Sequence, residues 1–347
     1  MQVGIDSFVG AIGGPETAAG ELGVLRVQQL LEEVELADQT GVDVFGIGEH
    51  HREEYIASSP ATLLAAAAAR TSKILLTSAV TVLSSDDPVR VFQQFTTLDL
   101  ISNGRAEIVV GRGSFTESYP LFGYDLRNYD ELFSEKLDLL LKLRDKTRVH
   151  WQGEHRATLS GQGVWPRPRQ ARLPIRLGVG GTPQSFVRAG VLGLPLTVAI
   201  IGGEAHRFRP LVELYRHAYQ QAGHDPAQMD VAVHGIGFLA DSDREAADTL
   251  YPAHQETFNR IGRERGWAPQ GRASFDAQVS DRGSFFVGSP ETVSQKMWSV
   301  SDALGGVSRF TLMISGGSVP HEATMRSIEL LGTEVRSKVN AAQPVLV

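Results

Sequence analysis

The stretch GIGEHHREEYIASSP, Gly46 to Pro60, sets an acid, two adjacent histidines, an arginine and two further acids directly behind a glycine-spaced apolar run. An imidazole there can take or give a proton near neutral pH, and neighbouring carboxylates can orient it. If Val44 to Glu49 is a strand, Phe45 and Ile47 share one face, and Gly46, Gly48 and His50 share the other. Bulky Phe45 and Ile47 suit a helix-covered side. The two glycines leave space on the opposite side for a flat ligand against His50. Glu49 reads as an orienting or helix-layer partner. Two plainer readings stand beside this one. His50 can be a strand-end histidine satisfied by its own hydrogen bonds, or His50 and His51 can be metal ligands. Adjacent strand residues point apart, however, and no spaced set of histidines or carboxylates completes a metal site, so no metal is expected.

A second stretch, GVGGTPQS from Gly178 to Ser185, suits an anion. Gly178, Gly180 and Gly181 let the backbone come close to a ligand, and Thr182 before Pro183 has the form of an N-cap followed by the first helical residue. The unpaired amides and positive dipole end of such a helix attract a phosphate, to which the Thr182 and Ser185 hydroxyls can also donate. A plain capped strand-to-helix turn has the same residues. A competing anion site is SGGS, Ser315 to Ser318. No GxxxxGK[ST] appears, and no GxGxxG follows a strand, so P-loop and dinucleotide fingerprints are not supported.

Composition narrows the chemistry further. A net charge of −7 argues against nucleic acid and acidic membranes as partners, because phosphate-rich surfaces call for clustered basic residues. The absence of cysteine excludes disulfides, thiolate nucleophiles and Cys-ligated metal. The first residues, MQVGIDSF, lack the basic-then-apolar pattern of a signal peptide and read as a strand, so a cytoplasmic protein is expected.

The elements that must position these groups recur regularly. Apolar runs without clean alternation fall at Val3–Phe8, Val42–Glu49, Ile74–Leu83, Ala106–Gly111, Pro174–Gly180, Pro195–Ile201, Val231–Ala240 and Ser308–Ile314, as buried parallel strands do. Between them lie helical stretches with recognisable stops, such as Leu22–Thr40 before Gly41 and Pro88–Ser102 before Asn103-Gly104. Eight strand–helix repeats over 347 residues predict an α/β protein formed as one (β/α)8 TIM barrel, a single domain over 1–347. The surplus length falls in the Gly-rich Gly10 to Gly20, a Trp/Pro/Arg-rich insertion at 146–173, and a long loop at 263–286 that reads either as a mobile lid or as unstructured chain.

Five stretches in this order and spacing, GEHHREEY (Gly48–Tyr55), SAVTVLSSDDPVR (Ser78–Arg90), DLISNGRAEIVVGRG (Asp99–Gly113), GVGGTPQSFVRAG (Gly178–Gly190) and SIELLGTEV (Ser327–Val335), resemble the bacterial-luciferase-like flavin-dependent oxidoreductases. The resemblance covers essentially the whole chain. It implies that His50 is the catalytic histidine beside the reactive edge of the isoalloxazine. It implies that Ala79-Val80 is a non-proline cis peptide supporting the ring, that Arg112 approaches the flavin phosphate, and that Phe115 lines the cofactor. It also places the phosphate at Gly180, Gly181, Thr182 and Ser185. Gly111 stands where the luciferases carry a cysteine, which puts light emission in doubt.

The activity implied is a monooxygenase that uses reduced FMN and dioxygen to oxidise a small organic substrate. No motif dedicates a nicotinamide site, so a separate flavin reductase is the implied donor of reduced FMN, and a homodimer is the implied assembly. The same resemblance admits a deazaflavin-dependent hydride-transfer enzyme. A flavin-binding protein without turnover is a third reading, and a metal-dependent barrel hydrolase a fourth. Substrate identity rests on loop shapes, at Gly10 to Gly20, Ser114 to Asn128 and 263–286, that composition does not give.

Overall fold

The computed structural model describes residues 1–11, 19–314 and 317–341. Eight parallel strands form a closed ring: β1 (Gln2–Ser7), β2 (Val44–Ile47), β3 (Leu75–Ser78), β4 (Ala106–Gly111), β5 (Ile175–Val179), β6 (Leu196–Ile200), β7 (Val231–Leu239) and β8 (Arg309–Met313). Each pairs with the next in chain order, and β8 returns to β1 with Gln2 opposite Arg309 and Ile5 opposite Leu312. The protein is a (β/α)8 TIM barrel, and all eight expected strands are present. Two short segments attach outside the ring: Thr81–Val82 beside β4, and Phe286–Gly288 beside β7.

The strand faces follow side-chain size. Phe45 and Ile47 are fully buried in the large apolar cluster that joins the sheet to its helices. Gly46 and Gly48 face the barrel interior, but their missing side chains make room for protein and not directly for a ligand. A Cβ on Gly46 would run into the Asp6 carboxylate, and one on Gly48 into the Phe8 ring.

Helices are set by local punctuation. Pro88–Ile101 opens with the Asp87 side chain accepting from Val89 and Arg90, and Pro183–Val191 opens with Pro183 behind Thr182. Among the described residues the first helix runs Ala19–Thr40, against the expected Leu22–Thr40. Residues 12–18 of the Gly10 to Gly20 segment, with Ser315 and Gly316 of SGGS, lie outside the described residues.

The two later insertions have their own structure. Within 146–173, Arg148–Trp151 and Leu159–Gly163 form an antiparallel hairpin, followed by a cis peptide at Trp165-Pro166. The segment 263–286 is neither a long loop nor unstructured. Asp243–Arg265 is one helix ending at a left-handed Gly266, and Arg272–Val279 is another, anchored by buried Phe275 and an Arg272–Asp276 pair one turn apart. The expected third strand, Ile74–Leu83, is divided into Leu75–Ser78 and Thr81–Val82 by the cis peptide at Ala79-Val80. No helix among the described residues is long and apolar enough to cross a membrane.

Candidate active site at the C-terminal mouth of the barrel

The strand ends converge on a cavity of about 570 Å³, a size typical of cofactor and ligand sites. His50, Ala79, Val80, Arg112, Phe115, Gly180, Thr182 and Ser185 all line it. Gly181 does not; it sits in the exposed turn beside them. The structure therefore brings together eight of the nine residues read from the sequence.

At one end, Arg112 leaves the tip of β4 and points at the β5 turn. Its Nη2 donates to Thr182 Oγ1 at 3.4 Å and to Ser185 Oγ at 3.3 Å, its Nη1 pairs with Asp130, and its guanidinium lies 5.0 Å from the centroid of the Tyr129 ring. The Thr182 hydroxyl makes no capping bond to its own helix, so it is directed to the arginine instead. A Cβ on Gly180 or Gly181 would meet nothing within 4 Å, so packing does not demand glycine at either position. Gly178 is different. A Cβ there would lie 2.8 Å from a Val80 methyl, and one on Gly111 2.7 Å from the other. These two glycines seat Val80 in the cavity wall, so Gly178, which also lines the cavity, owes its lack of a side chain to Val80.

At the other end, His50 is enclosed by Phe8, Tyr55 and Phe115, with ring centroids at 4.5, 4.6 and 5.0 Å. Its Nε2 is buried without a hydrogen-bond partner. Burial, with smaller contributions from neighbouring His51 and Arg52, lowers the imidazole to about 3, so it is neutral at physiological pH. Glu49 is an orienting group, as expected, but for His51: Oε1 meets His51 Nε2 at 2.8 Å, and Oε2 accepts the Val82 amide at 2.9 Å. His50 and His51 thus have separate surroundings, and no group of three or more potential ligands among the described residues could hold a metal ion.

Several lining residues carried no sequence motif. The helix Asp243–Arg265 supplies a wall of Leu250, Ala253, His254, Phe258 and Ile261, closed by Trp267. Burial lowers His254 to about 4. Arg52 fastens the end of this helix to the mouth, bonding Glu264 at 2.6 and 2.9 Å, Glu117 at 2.5 Å and Glu54 at 2.9 Å. On the cavity floor Asp6 and His234 form a pair from β1 and β7, at 2.6 Å. Their signal was available: each is a polar residue inside an apolar strand, VGIDS and VAVHGIGFL, at a register that faces inward.

Residues 1–305 match the profile of the luciferase-like monooxygenases. The chain belongs to that family. It is 28% identical over 350 residues to 4-hydroxyprotoasukamycin monooxygenase of Streptomyces nodosus subsp. asukaensis, covering 96% of this chain and 92% of the relative. Among solved structures, monooxygenase RslO1 from Streptomyces bottropensis superposes with a TM-score of 0.84 at 25% identity, over 97% of this chain and 99% of the other. Two more share the fold: the oxygenating constituent of 3,6-diketocamphane monooxygenase from Pseudomonas putida in complex with FMN, and an F420-dependent secondary alcohol dehydrogenase in complex with an F420-acetone adduct. Their TM-scores are 0.79 and 0.76, their identities 20% and 16%, and each covers at least 98% of this chain and 99% of its own. The barrel of this chain is thus shared by one enzyme in complex with FMN and one that depends on F420.

Proposed function

We infer that this family member is a flavin-dependent monooxygenase that takes reduced FMN and dioxygen and oxidises a small organic substrate. One observation carries the reading. Arg112, Thr182 and Ser185 converge at one end of a cavity whose other end holds a neutral, unpartnered imidazole, His50. A cation with two hydroxyls beside a helix N-terminus fits the dianionic phosphate of FMN, and the open space over Gly180 and Gly181 fits a ligand lying against the turn.

When bound, the reduced flavin supplies the electrons and the carbon centre with which dioxygen reacts. The protein's own groups do the rest. Arg112, Thr182, Ser185 and the amides near Gly180 and Gly181 bind the phosphate; Ala79 and Val80 brace one wall; Phe115 lines the cavity. His50 holds or accepts a proton at Nε2, and the wall from Leu250 to Trp267 excludes water. A partner flavin reductase and a homodimer accompany this reading on the strength of the family resemblance, one barrel domain over 1–347 on the eight strand–helix repeats, and a cytoplasmic location is proposed with them.

The second reading, deazaflavin-dependent hydride transfer, is favoured by the likeness to the F420-dependent fold. Titrating the purified protein with FMN and with the deazaflavin, followed by visible absorption, separates the two. FMN is expected to bind; submicromolar binding of the deazaflavin alone would replace the proposal. A flavin-binding role without turnover is checked by supplying reduced FMN, dioxygen and a panel of aldehydes, ketones and phenols. Flavin oxidation indistinguishable from that in free solution across the panel would favour it.

A further inference from the structure

Asp6 and His234 are 3% and 7% exposed, and the wall of Phe8 separates them from His50; its ring lies 4.5 Å from the His50 centroid and 6.1 Å from that of His234. A buried carboxylate inside a barrel is costly unless the structure makes a place for it. Gly46, opposite Asp6 on β2, makes that place, since any side chain there would collide with Asp6 Oδ1. The pair is tight, with Nδ1 of His234 2.6 Å from Asp6 Oδ2. In a neutral imidazole the nitrogen that donates to a carboxylate carries the hydrogen, and the other, here Nε2, is the acceptor. Among the described residues the His234 ring is bonded through Nδ1, and Asp6 Oδ1 and Thr311 Oγ1, both buried and both lining the cavity with His234, are without partners there. Thr311 lies directly opposite His234 on β8. The neighbouring charges in this layer are already satisfied: Arg309 donates to Glu107 at 2.6 and 3.3 Å and to Gln2 at 2.9 Å.

We propose that the cavity floor is a substrate subsite for a phenolic hydroxyl, with His234 Nε2 accepting its proton, Thr311 Oγ1 hydrogen-bonding its oxygen, and Asp6 positioning the imidazole. The proposal rests on the monooxygenase reading for its role in turnover, but not for its role in binding. Phenol is the class chosen by acidity. A phenolic hydroxyl is acidic enough, near 10, to give its proton to a nitrogen base, whereas the hydroxyl of a simple alcohol is far too weak an acid. The aromatic side chains of Phe8, Tyr55, Phe115, Phe258 and Trp267 around the same cavity suit a ring. In the step itself the phenolic O–H bond breaks, its electron pair stays on oxygen, and the proton forms the Nε2–H bond. The imidazolium charge is then offset by Asp6, and a ring made electron-rich in this way is the form an electrophilic oxidation consumes.

The test uses the full chain loaded with FMN, and two probes of nearly equal shape, 4-nitrophenol and 4-nitroanisole. Difference absorption is read at a pH one unit below the ionisation of free 4-nitrophenol. The phenol is expected to bind at least ten-fold more tightly than its methyl ether and to show the phenolate band when bound. His234→Gln and Asp6→Asn should lose both the preference and the band while keeping FMN affinity. Equal affinities, failure of the phenol to bind, or a phenolate band that survives in His234→Gln would overturn the proposal. The wild-type comparison stands even if a variant does not fold. Because FMN binding is read in the same samples, loss of FMN binding with the phenol preference intact would reject the cofactor reading alone, and the reverse pattern would reject the floor alone.

Discussion

The Glu49 carboxylate and the Val82 amide, 2.9 Å apart, join the tip of the second barrel strand to the cavity wall that follows Val80. The other oxygen of Glu49 holds His51, so this one buried side chain ties His51 to the wall that faces it.

Removing that tie strands two buried partners. Glu49→Ala leaves the Val82 N–H and the His51 ring unpaired, at a cost of roughly 1–3 kcal/mol, whereas Glu49→Gln keeps an acceptor for Val82 and costs less. Urea denaturation of both variants measures the difference, and equal stability in Glu49→Ala and wild type would show that the tie is immaterial.

Phosphate anchoring is tested at the other end of the cavity. Replacing Thr182 and Ser185 together by Ala should weaken FMN by about 1–3 kcal/mol, and Arg112→Ala should weaken it further, because hydrogen bonds to a charged group are the strong ones. Calorimetric titration reads this directly. Unchanged affinity would move the phosphate elsewhere in the molecule.

Two glycine classes predict opposite behaviour. Gly111→Ala drives a methyl into Val80 and should lower stability by roughly 1–3 kcal/mol, as overpacking does. Gly180→Ala points into open space, so its stability should stay within about 0.5 kcal/mol of wild type while FMN affinity falls. Thermal melts with and without FMN separate the two effects.

Acid should weaken the fold through its buried imidazoles. His50 is lowered to about 3 and His254 to about 4, so in the unfolded chain they bind protons near pH 6.5 that the folded chain refuses. Stability contributed by these neutral rings is therefore complete above pH 6.5 and declines as pH falls from there toward 4 and then 3. His50→Gln and His254→Phe should flatten that slope in urea midpoints taken between pH 3 and 7. A wild-type midpoint that is constant over this interval would contradict it.

The same depressed value shapes catalysis. His50→Gln should spare FMN binding and reduce turnover. Since His50 is neutral throughout pH 5–8, the wild-type and variant kcat profiles should run parallel across that interval. An inflection near 6.5 that vanishes in His50→Gln would show that His50 titrates during turnover.

The sequence carried the ring of strands because each one is a mostly apolar run without clean alternation, and it carried His50, Thr182 and Ser185 because they stand at strand ends beside glycine and proline punctuation, while Arg112 was legible only through the family resemblance. It did not carry the reasons for the glycines. Whether Gly46 yields space to a ligand or to Asp6 depends on a neighbouring strand 40 residues away, and Gly178 is explained only by Val80. The helix Arg272–Val279 was hidden for a related reason. It is eight residues long, and the buried contact of Phe275 that anchors it comes from the fold, so composition alone reads the segment as loop.

Joining the first strand to the last has a consequence for how the molecule is made. Val3 finds its partner Phe310 only after more than three hundred intervening residues have been synthesised, so the ring stays an open sheet on the ribosome, with the exposed edge of Gln2–Ser7 waiting. Chaperone demand in the cell should therefore be greatest late in translation, when seven strands are present and the eighth is not.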